Sequence, residues 1–218
     1  FIMLLLILDY GSGNVKSVYN ALKLVIDKFE SSYEIKISSL RDDINKCDAL
    51  ILPGVGSFKN CKKNIFQQKG LVDTLSENVL NRFKPFLGIC VGMQLLADFG
   101  FENGKHKGLG WINGKVKLLN YKKHKDSQKF KIPHMGWNQI KLRWNDELFK
   151  NIDTNEQFYF VHSYYFDVKN QENLLAYTSY GIEIPAVIKK NNIYGLQFHP
   201  EKSGIVGQKI LFNWLNHI

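Results

Sequence analysis

Cys90 lies where an apolar run gives way to helix-forming residues, in Pro85-Phe86-Leu87-Gly88-Ile89-Cys90-Val91-Gly92-Met93-Gln94-Leu95-Leu96. Phe86 to Ile89 is expected to be a strand and Met93 to Ala97 a helix. Gly88 and Gly92 flank the cysteine at the spacing of a nucleophile elbow, with sulfur replacing the usual hydroxyl. A tight strand-to-helix turn crowds its neighbours, and residues without Cβ relieve that crowding. Such a turn exposes the thiol at a helix N-terminus, where free N–H groups and the helix dipole favour the reactive thiolate. The chemistry this predicts is attack on a carbonyl carbon. The alternative is an inert cysteine buried in an ordinary β-α turn.

A nucleophilic cysteine needs a base, and the base needs an orienting partner. Ile193-Tyr194-Gly195-Leu196-Gln197-Phe198-His199-Pro200-Glu201 offers both. Ile193 to Phe198 is expected to be a strand, which puts His199 at its end, where catalytic side chains of open α/β sheets gather. Pro200 biases His199 towards extended geometry, and in an extended stretch Glu201 shares a face with His199. The carboxylate would then hold the imidazole in one tautomer, as the third member of a triad does. Taken alone, the segment also fits a strand-end histidine beside a solvated glutamate. His162 lies in another strand-like run, but no carboxylate follows two positions later, so His199 is the better base and His162 a structural or interface residue. His134 and His124 have weaker claims. The histidines and cysteines lack the clustered spacing of a zinc site, so no metal is expected.

The elements that must position these groups follow from the apolar pattern. Strand-like runs at Leu4 to Leu8, Glu34 to Ile37, Ala49 to Leu52 and Phe86 to Ile89 alternate with helical stretches at Val15 to Phe29 and Leu71 to Phe83. That order predicts an α/β fold, an open, largely parallel sheet with helices on both faces. Trp111 to Tyr180 looks richer in strands and turns, and Gly207 to Ile218 is expected to be a closing amphipathic helix. No linker or repeat divides the chain, so residues 1–218 are expected to form one domain.

Gly88-Ile89-Cys90-Val91-Gly92-Met93-Gln94 with His199-Pro200-Glu201 resembles the class I, or triad, glutamine amidotransferases. Asp9-Tyr10-Gly11-Ser12-Gly13-Asn14, Leu52-Pro53-Gly54-Val55-Gly56-Ser57-Phe58, Pro133-His134-Met135-Gly136-Trp137-Asn138 and Phe160-Val161-His162-Ser163-Tyr164-Tyr165 look more narrowly like the glutaminase subunits of imidazole glycerol phosphate synthase. The resemblance implies that Cys90, His199 and Glu201 hydrolyse glutamine through a thioester. It implies an oxyanion hole from the N–H groups of Val91 and Val55, with Gly54 and Gly56 making a peptide flip sterically easy. It also implies glutamine contacts from Gly54, Gln94, Ser163 and Tyr164, largely through backbone groups. The partner implied is a (β/α)₈ cyclase subunit that receives ammonia and makes imidazole glycerol phosphate and an aminoimidazole carboxamide ribotide. Gly11, Asn14, Met135 and Trp137 would face it. From the residues alone, Gly11-Ser12-Gly13 is a plain strand-to-helix turn or a fragment of a dinucleotide fingerprint whose third glycine is replaced by Lys16; no cofactor is expected. Trp137, between glycine and asparagine, suggests a loop whose tryptophan packs inward or is kept for a partner. Two rival readings are a paralogous glutaminase feeding a sugar- or nucleotide-modifying synthase and a catalytically silent scaffold.

Composition sets the remaining bounds. With 218 residues and 44% hydrophobic content, the chain can build a substantial core. The net charge of +9 raises nucleic acid as a partner, and Lys115 to Lys131 is the most basic stretch. It shows no RNA-binding signature or recognition helix and is expected to be a solvated loop. The apolar opening Phe1 to Leu8 is too short to span a bilayer and lacks a basic start, so no membrane segment or secretory signal is expected. Three cysteines without paired spacing point to a reducing, cytoplasmic setting.

Overall fold

Apolar runs without alternation need cover on both faces, and here they form the middle of one sheet. The computed structural model describes residues 2–29, 32–122 and 125–217. Expectations touching Phe1, Lys123, His124 and Ile218 lie outside those residues.

The strands are β1 (Met3–Leu8), β2 (Tyr33–Ser38), β3 (Ala49–Leu52), β4 (Phe86–Ile89), β5 (Phe99–Gly100), β6 (His106–Lys107) and β7 (Gly114–Leu118). They continue as β8 (His134–Gln139), β9 (Lys141–Leu142), β10 (Gln157–His162), β11 (Tyr164–Val168), β12 (Leu174–Tyr180), β13 (Ile182–Lys190) and β14 (Ile193–Leu196). The helices are α1 (Val15–Lys28), α2 (Arg41–Lys46), α3 (Phe58–Gln67), α4 (Leu71–Ser76), α5 (Val91–Gln94) and α6 (Gly204–Leu215).

The main sheet has eight strands in the order β2-β1-β3-β4-β14-β13-β12-β9. From β2 to β14 every neighbouring pair is parallel; from β14 to β9 every pair is antiparallel. All residues of β3, β4 and β14 are buried, whereas β2, at the edge, is not. Helix α1 packs on α6, and α2 and α3 each pack on α4. The expected α/β fold is therefore present, and its antiparallel wing comes from the strand-rich middle of the chain. A smaller sheet, β11-β7-β5-β6, and the pair β10-β8 complete the architecture.

The pairing of β4 with β14 positions the site. Gly88 lies opposite Gly195 and Ile89 opposite Leu196, so the chain emerges from both strands side by side at their carboxyl ends. Chain segments distant in sequence thereby deliver Cys90 and His199 to one place.

Several local expectations are corrected. The helix after Cys90 is one turn, Val91–Gln94, rather than Met93 to Ala97. Beyond it the carbonyls of Leu95, Leu96 and Ala97 accept from Leu109, Trp111, Ile112 and Gly110, so tertiary hydrogen bonds take over from the helical ladder. The stretch from Leu71 leaves α geometry after Ser76 and continues as a π-helical turn, Glu77–Asn81. Trp137 sits in strand β8, not a loop, because β8 pairs along its length with β10. The aromatic run Phe158 to Phe166 divides at Ser163 between two sheets. The basic stretch starts inside β7, where Lys117 pairs with Asp167 at 2.5 Å.

Candidate active site

The backbone strain of the elbow sits on the cysteine itself: Cys90 has φ 54° and ψ −110°, a region that residues with a Cβ rarely adopt. Its N–H donates to the Leu196 carbonyl at 2.7 Å, and its carbonyl accepts from Gln94 N at 3.1 Å, which locks the turn between β14 and α5. The flanking glycines allow close approach. A Cβ on Gly92 would lie 1.9 Å from the Leu52 carbonyl oxygen, and one on Gly88 would lie 2.8 Å from the backbone of Gly92. Because α5 is so short, little macrodipole accumulates at Cys90. The local N–H groups of its first turn and the neighbouring histidine carry the electrostatics instead.

His199 has extended backbone, φ −99° and ψ 97°, as Pro200 predicts. Its N–H donates to Tyr159 O at 2.9 Å, and its carbonyl accepts from the buried Ser203 hydroxyl at 2.7 Å. The ring Nδ1 lies 2.7 Å from Glu201 Oε1, and the ring shares its cavity with Cys90, near enough for the two charges to act on each other. Both side chains of the His199–Glu201 pair are almost wholly buried, at 2% and 1% exposure. Glu201 reaches the imidazole from a 3₁₀ turn, Pro200–Lys202, rather than from the extended stretch expected. Strand β14 has already ended at Leu196, short of the Phe198 expected, and proline at the first position of the turn keeps the carboxylate within reach.

Burial alone would pull the His199 pKa down. The interaction with Cys90 and the hydrogen bond to Glu201, together with the negative charge of both, outweigh it and push the value up to about 10. A charged imidazole beside the sulfur is the resting arrangement this favours. It can hand a proton to a leaving nitrogen.

Cys90 and His199 open onto a cavity of about 360 Å³ that is also lined by Val55, Val91, Gln94, Ser163 and Tyr164. Gly54 lies just beneath, so close to α5 that a Cβ there would be 2.5 Å from Gly92 N. The loop after β3 is held from behind: Tyr10 Oη donates to Pro53 O at 2.8 Å and Ser12 Oγ to Val55 O at 3.2 Å. Cys61 Sγ also lies 3.4 Å from the Val55 carbonyl. Gln94 is buried, and its Nε2 donates to Tyr164 O at 2.9 Å and to Gln197 Oε1 at 3.1 Å. Both hydrogens are thus committed, which leaves its carbonyl oxygen to meet a ligand.

The expected partner residues lie apart from the triad. Met135 and Trp137 point outward from β8 with 61% and 50% exposure, and Pro133, just before that strand, lines the cavity. Gly11 and Asn14 belong to the turn between β1 and α1; the Gly11 carbonyl accepts from Asn64 Nδ2, and Ser12 ties the turn to Val55. His162 lines the cavity, but its hydrogen-bonding partners are His134 and the Tyr164 carbonyl, not Cys90. Sequence reasoning missed Gln197, whose amide lies 3.8 Å from Cys90 Sγ, and Glu102 and Lys202 in the cavity wall. A lone glutamine between Leu196 and Phe198 in an otherwise apolar run was the available signal for the first. Among the described residues, no helix is long and apolar enough to cross a membrane.

A thiol at a strained elbow, an imidazole just beyond the adjacent parallel strand and a buried carboxylate behind it are the groups that a cysteine-based amide-hydrolysing centre requires. The chain belongs to the class-I glutamine amidotransferase family, which matches residues 6–218. Two solved structures share the fold: a glutamine amidotransferase at TM-score 0.67 and 15% identity, covering 98% of this chain and 99% of that one, and another from Thermotoga maritima at TM-score 0.60 and 14% identity, covering 92% and 77%.

Closer sequence relatives narrow the family to the HisH subunits of imidazole glycerol phosphate synthase. The HisH subunit of Pelagibacter ubique is 43% identical over 210 residues, which is 96% of this chain and 98% of that protein. HisH 2 of Methanococcus maripaludis is 43% identical over 209 residues, 96% and 97% of the two lengths. The HisH subunit of Brucella abortus is 38% identical over 212 residues, 96% of each.

Proposed function

We propose that this chain is the glutaminase subunit of an imidazole glycerol phosphate synthase and that Cys90, His199 and Glu201 are its catalytic residues. The Cys90 thiolate attacks the side-chain amide carbon of glutamine, and the N–H groups of Val91 and Val55 receive the charge that develops on oxygen. One such preorganised donor typically contributes about 3–4 kcal/mol to lowering the barrier. His199 gives its proton to the amide nitrogen, the C–N bond breaks, and ammonia leaves a γ-glutamyl thioester. His199 then takes a proton from water, hydroxide attacks the thioester, and glutamate departs as the thiolate re-forms. Glu201 holds the imidazole throughout. The Gln94 carbonyl oxygen, Gly54, Ser163 and Tyr164 seat the substrate, with the first suited to its α-ammonium group.

Ammonia released into neutral water becomes ammonium and loses its nucleophilic lone pair, so a useful product needs a dry exit. A (β/α)₈ cyclase subunit docked over Met135, Trp137, Gly11 and Asn14 supplies it, and the pair makes imidazole glycerol phosphate and an aminoimidazole carboxamide ribotide in cytoplasmic histidine biosynthesis. The observation that carries this reading is that Cys90 and His199 open onto one cavity beyond the ends of two adjacent parallel strands, with Glu201 hydrogen-bonded behind the imidazole.

Glutamate release by the isolated chain and by its complex with the cyclase subunit tests it. Cys90→Ala is expected to abolish release in both; unchanged turnover would exclude the nucleophile. Trp137→Ala is expected to weaken association by about 2 kcal/mol, roughly 30-fold in Kd, as loss of an aromatic anchor does. It should leave the melting temperature of the free chain unchanged.

A further inference from the structure

Two buried histidines have no part in the triad. His134 and His162 face each other across β8 and β10 as a direct cross-strand pair. His134 has no exposed surface and stacks between Phe160 and Tyr180, with ring centroids 4.9 and 4.2 Å away. Asn138 Nδ2 lies 2.6 Å from His134 Nε2, His134 Nδ1 lies 2.9 Å from His162 Nε2, and His162 Nδ1 lies 2.8 Å from the Tyr164 carbonyl oxygen.

One end of this chain sets the direction of all the rest. A carbonyl oxygen only accepts, so His162 Nδ1 carries a hydrogen. A neutral imidazole then has a bare Nε2, which accepts from His134 Nδ1–H. His134 Nε2 is bare in turn and accepts from the Asn138 amide. Burial supports the neutral forms, lowering His134 to about 4 and His162 to about 3. Protonation of either ring would set two donors against each other or against the Asn138 amide.

The chain continues beyond Tyr164. Its carbonyl also accepts from Gln94 Nε2, whose other hydrogen goes to Gln197 Oε1, and Gln197 Nε2 lies 3.8 Å from Cys90 Sγ. One ordered series of hydrogen bonds thus joins Asn138 on β8 to the thiol. Strand β8 points the other way as well: Met135 and Trp137 alternate outward while His134 and Asn138 face in.

We propose that His134 and His162 are positioning residues, a neutral, single-direction relay through which the seating of β8 sets the Gln94 amide, the Tyr164 carbonyl and the Cys90 thiol. The proposal rests on the reading of β8 as the docking face for the synthase partner. Movement of β8 on docking moves Asn138 and His134, and no link in the series can reverse without leaving two donors or two acceptors facing each other. The relay therefore transmits placement rather than protons.

The test uses the chain assembled with its cyclase subunit. Nitrogen-15 spectra of the histidine-labelled chain at neutral pH are expected to show both rings as neutral Nδ1–H tautomers; an Nε2–H tautomer or an imidazolium at either position would overturn the relay. His134→Phe keeps the stack but cuts both bonds, and it is expected to lower kcat/KM for glutamine in the complex by about tenfold or more. His134→Gln, whose amide offers one donor and one acceptor, is expected to restore most of it. A His134→Phe complex within twofold of the parent, or a loss that the glutamine variant does not repair, would refute the proposal. Asn138→Leu, at the half-buried end, repeats the test should the phenylalanine variant not fold. Subunit affinity is expected to hold in each variant; a parallel fall would make damage to β8 the cause and overturn the relay. A parent complex that releases no glutamate would sink the glutaminase reading instead, with the tautomers still reporting on the relay.

Discussion

Glu201→Gln keeps the shape of the side chain and removes its charge, so it isolates what the carboxylate does for His199. Glu201 Oε1 lies 2.7 Å from Nδ1, with both side chains at least 98% buried, so solvent screens the pair little. A charge-assisted hydrogen bond of this kind contributes about 1.5–3 kcal/mol net. Coulomb attraction between unit charges about 4 Å apart at an effective dielectric near 20 is about 4 kcal/mol, which bounds the loss from above. At about 1.4 kcal/mol per tenfold, those limits correspond to roughly 10- to 1,000-fold in kcat. An amide that turns its NH₂ towards Nδ1 would also impose the wrong tautomer, a defect that costs about 10⁴-fold in the Ser-His-Asp arrangement. The expected fall is therefore about 10²- to 10⁴-fold, read as glutamate released by the assembled complex at saturating glutamine. The His199 pKa should drop as well, because burial persists while the carboxylate's support is gone, so the high-pH limb of kcat/KM moves down. A folded variant that keeps more than a tenth of parental kcat would refute the assignment of Glu201 as the orienting group.

Gly92→Ala would drive a Cβ to 1.9 Å from the Leu52 carbonyl oxygen, a backbone atom that cannot swing aside. The expected outcome is a stability loss of about 3 kcal/mol or more and collapse of glutaminase activity, measured by urea unfolding and glutamate release. Gly136→Ala, with open space around it but φ 140°, should cost only about 1–2 kcal/mol through backbone strain. Acid should destabilise the fold through His134 and His162, whose titratable neighbours are each other, Tyr180 stacked on His134 and, for His162, His199. Both have folded pKa values below the unfolded value of about 6.5, so their contribution is complete above that pH and is lost as pH falls towards 4. For His134, held at about 4, the loss is about 3 kcal/mol across that window, and urea midpoints of the parent should fall more steeply with acid than those of His134→Gln. Parallel slopes would contradict this.

What could be read without coordinates was what neighbouring residues decide among themselves. The strands at Ala49–Leu52 and Phe86–Ile89 lie where their apolar runs put them, because a strand buried on both faces needs no alternation. The glycines around Cys90 marked a close-packed elbow, and Pro200 predicted the extended backbone of His199. Local pattern failed where distant chain supplied the energy. Pairing with β10 turned the Trp137 segment into a strand, and tertiary hydrogen bonds cut the helix after Cys90 to a single turn. Only the register of β4 against β14 brings Cys90 to His199, and only the pairing of β8 with β10 joins His134 to His162. Residue types declare which chemistry a chain can attempt. Strand order decides which of those groups meet, because hydrogen-bond partners far apart in sequence are chosen by the packing of the whole sheet.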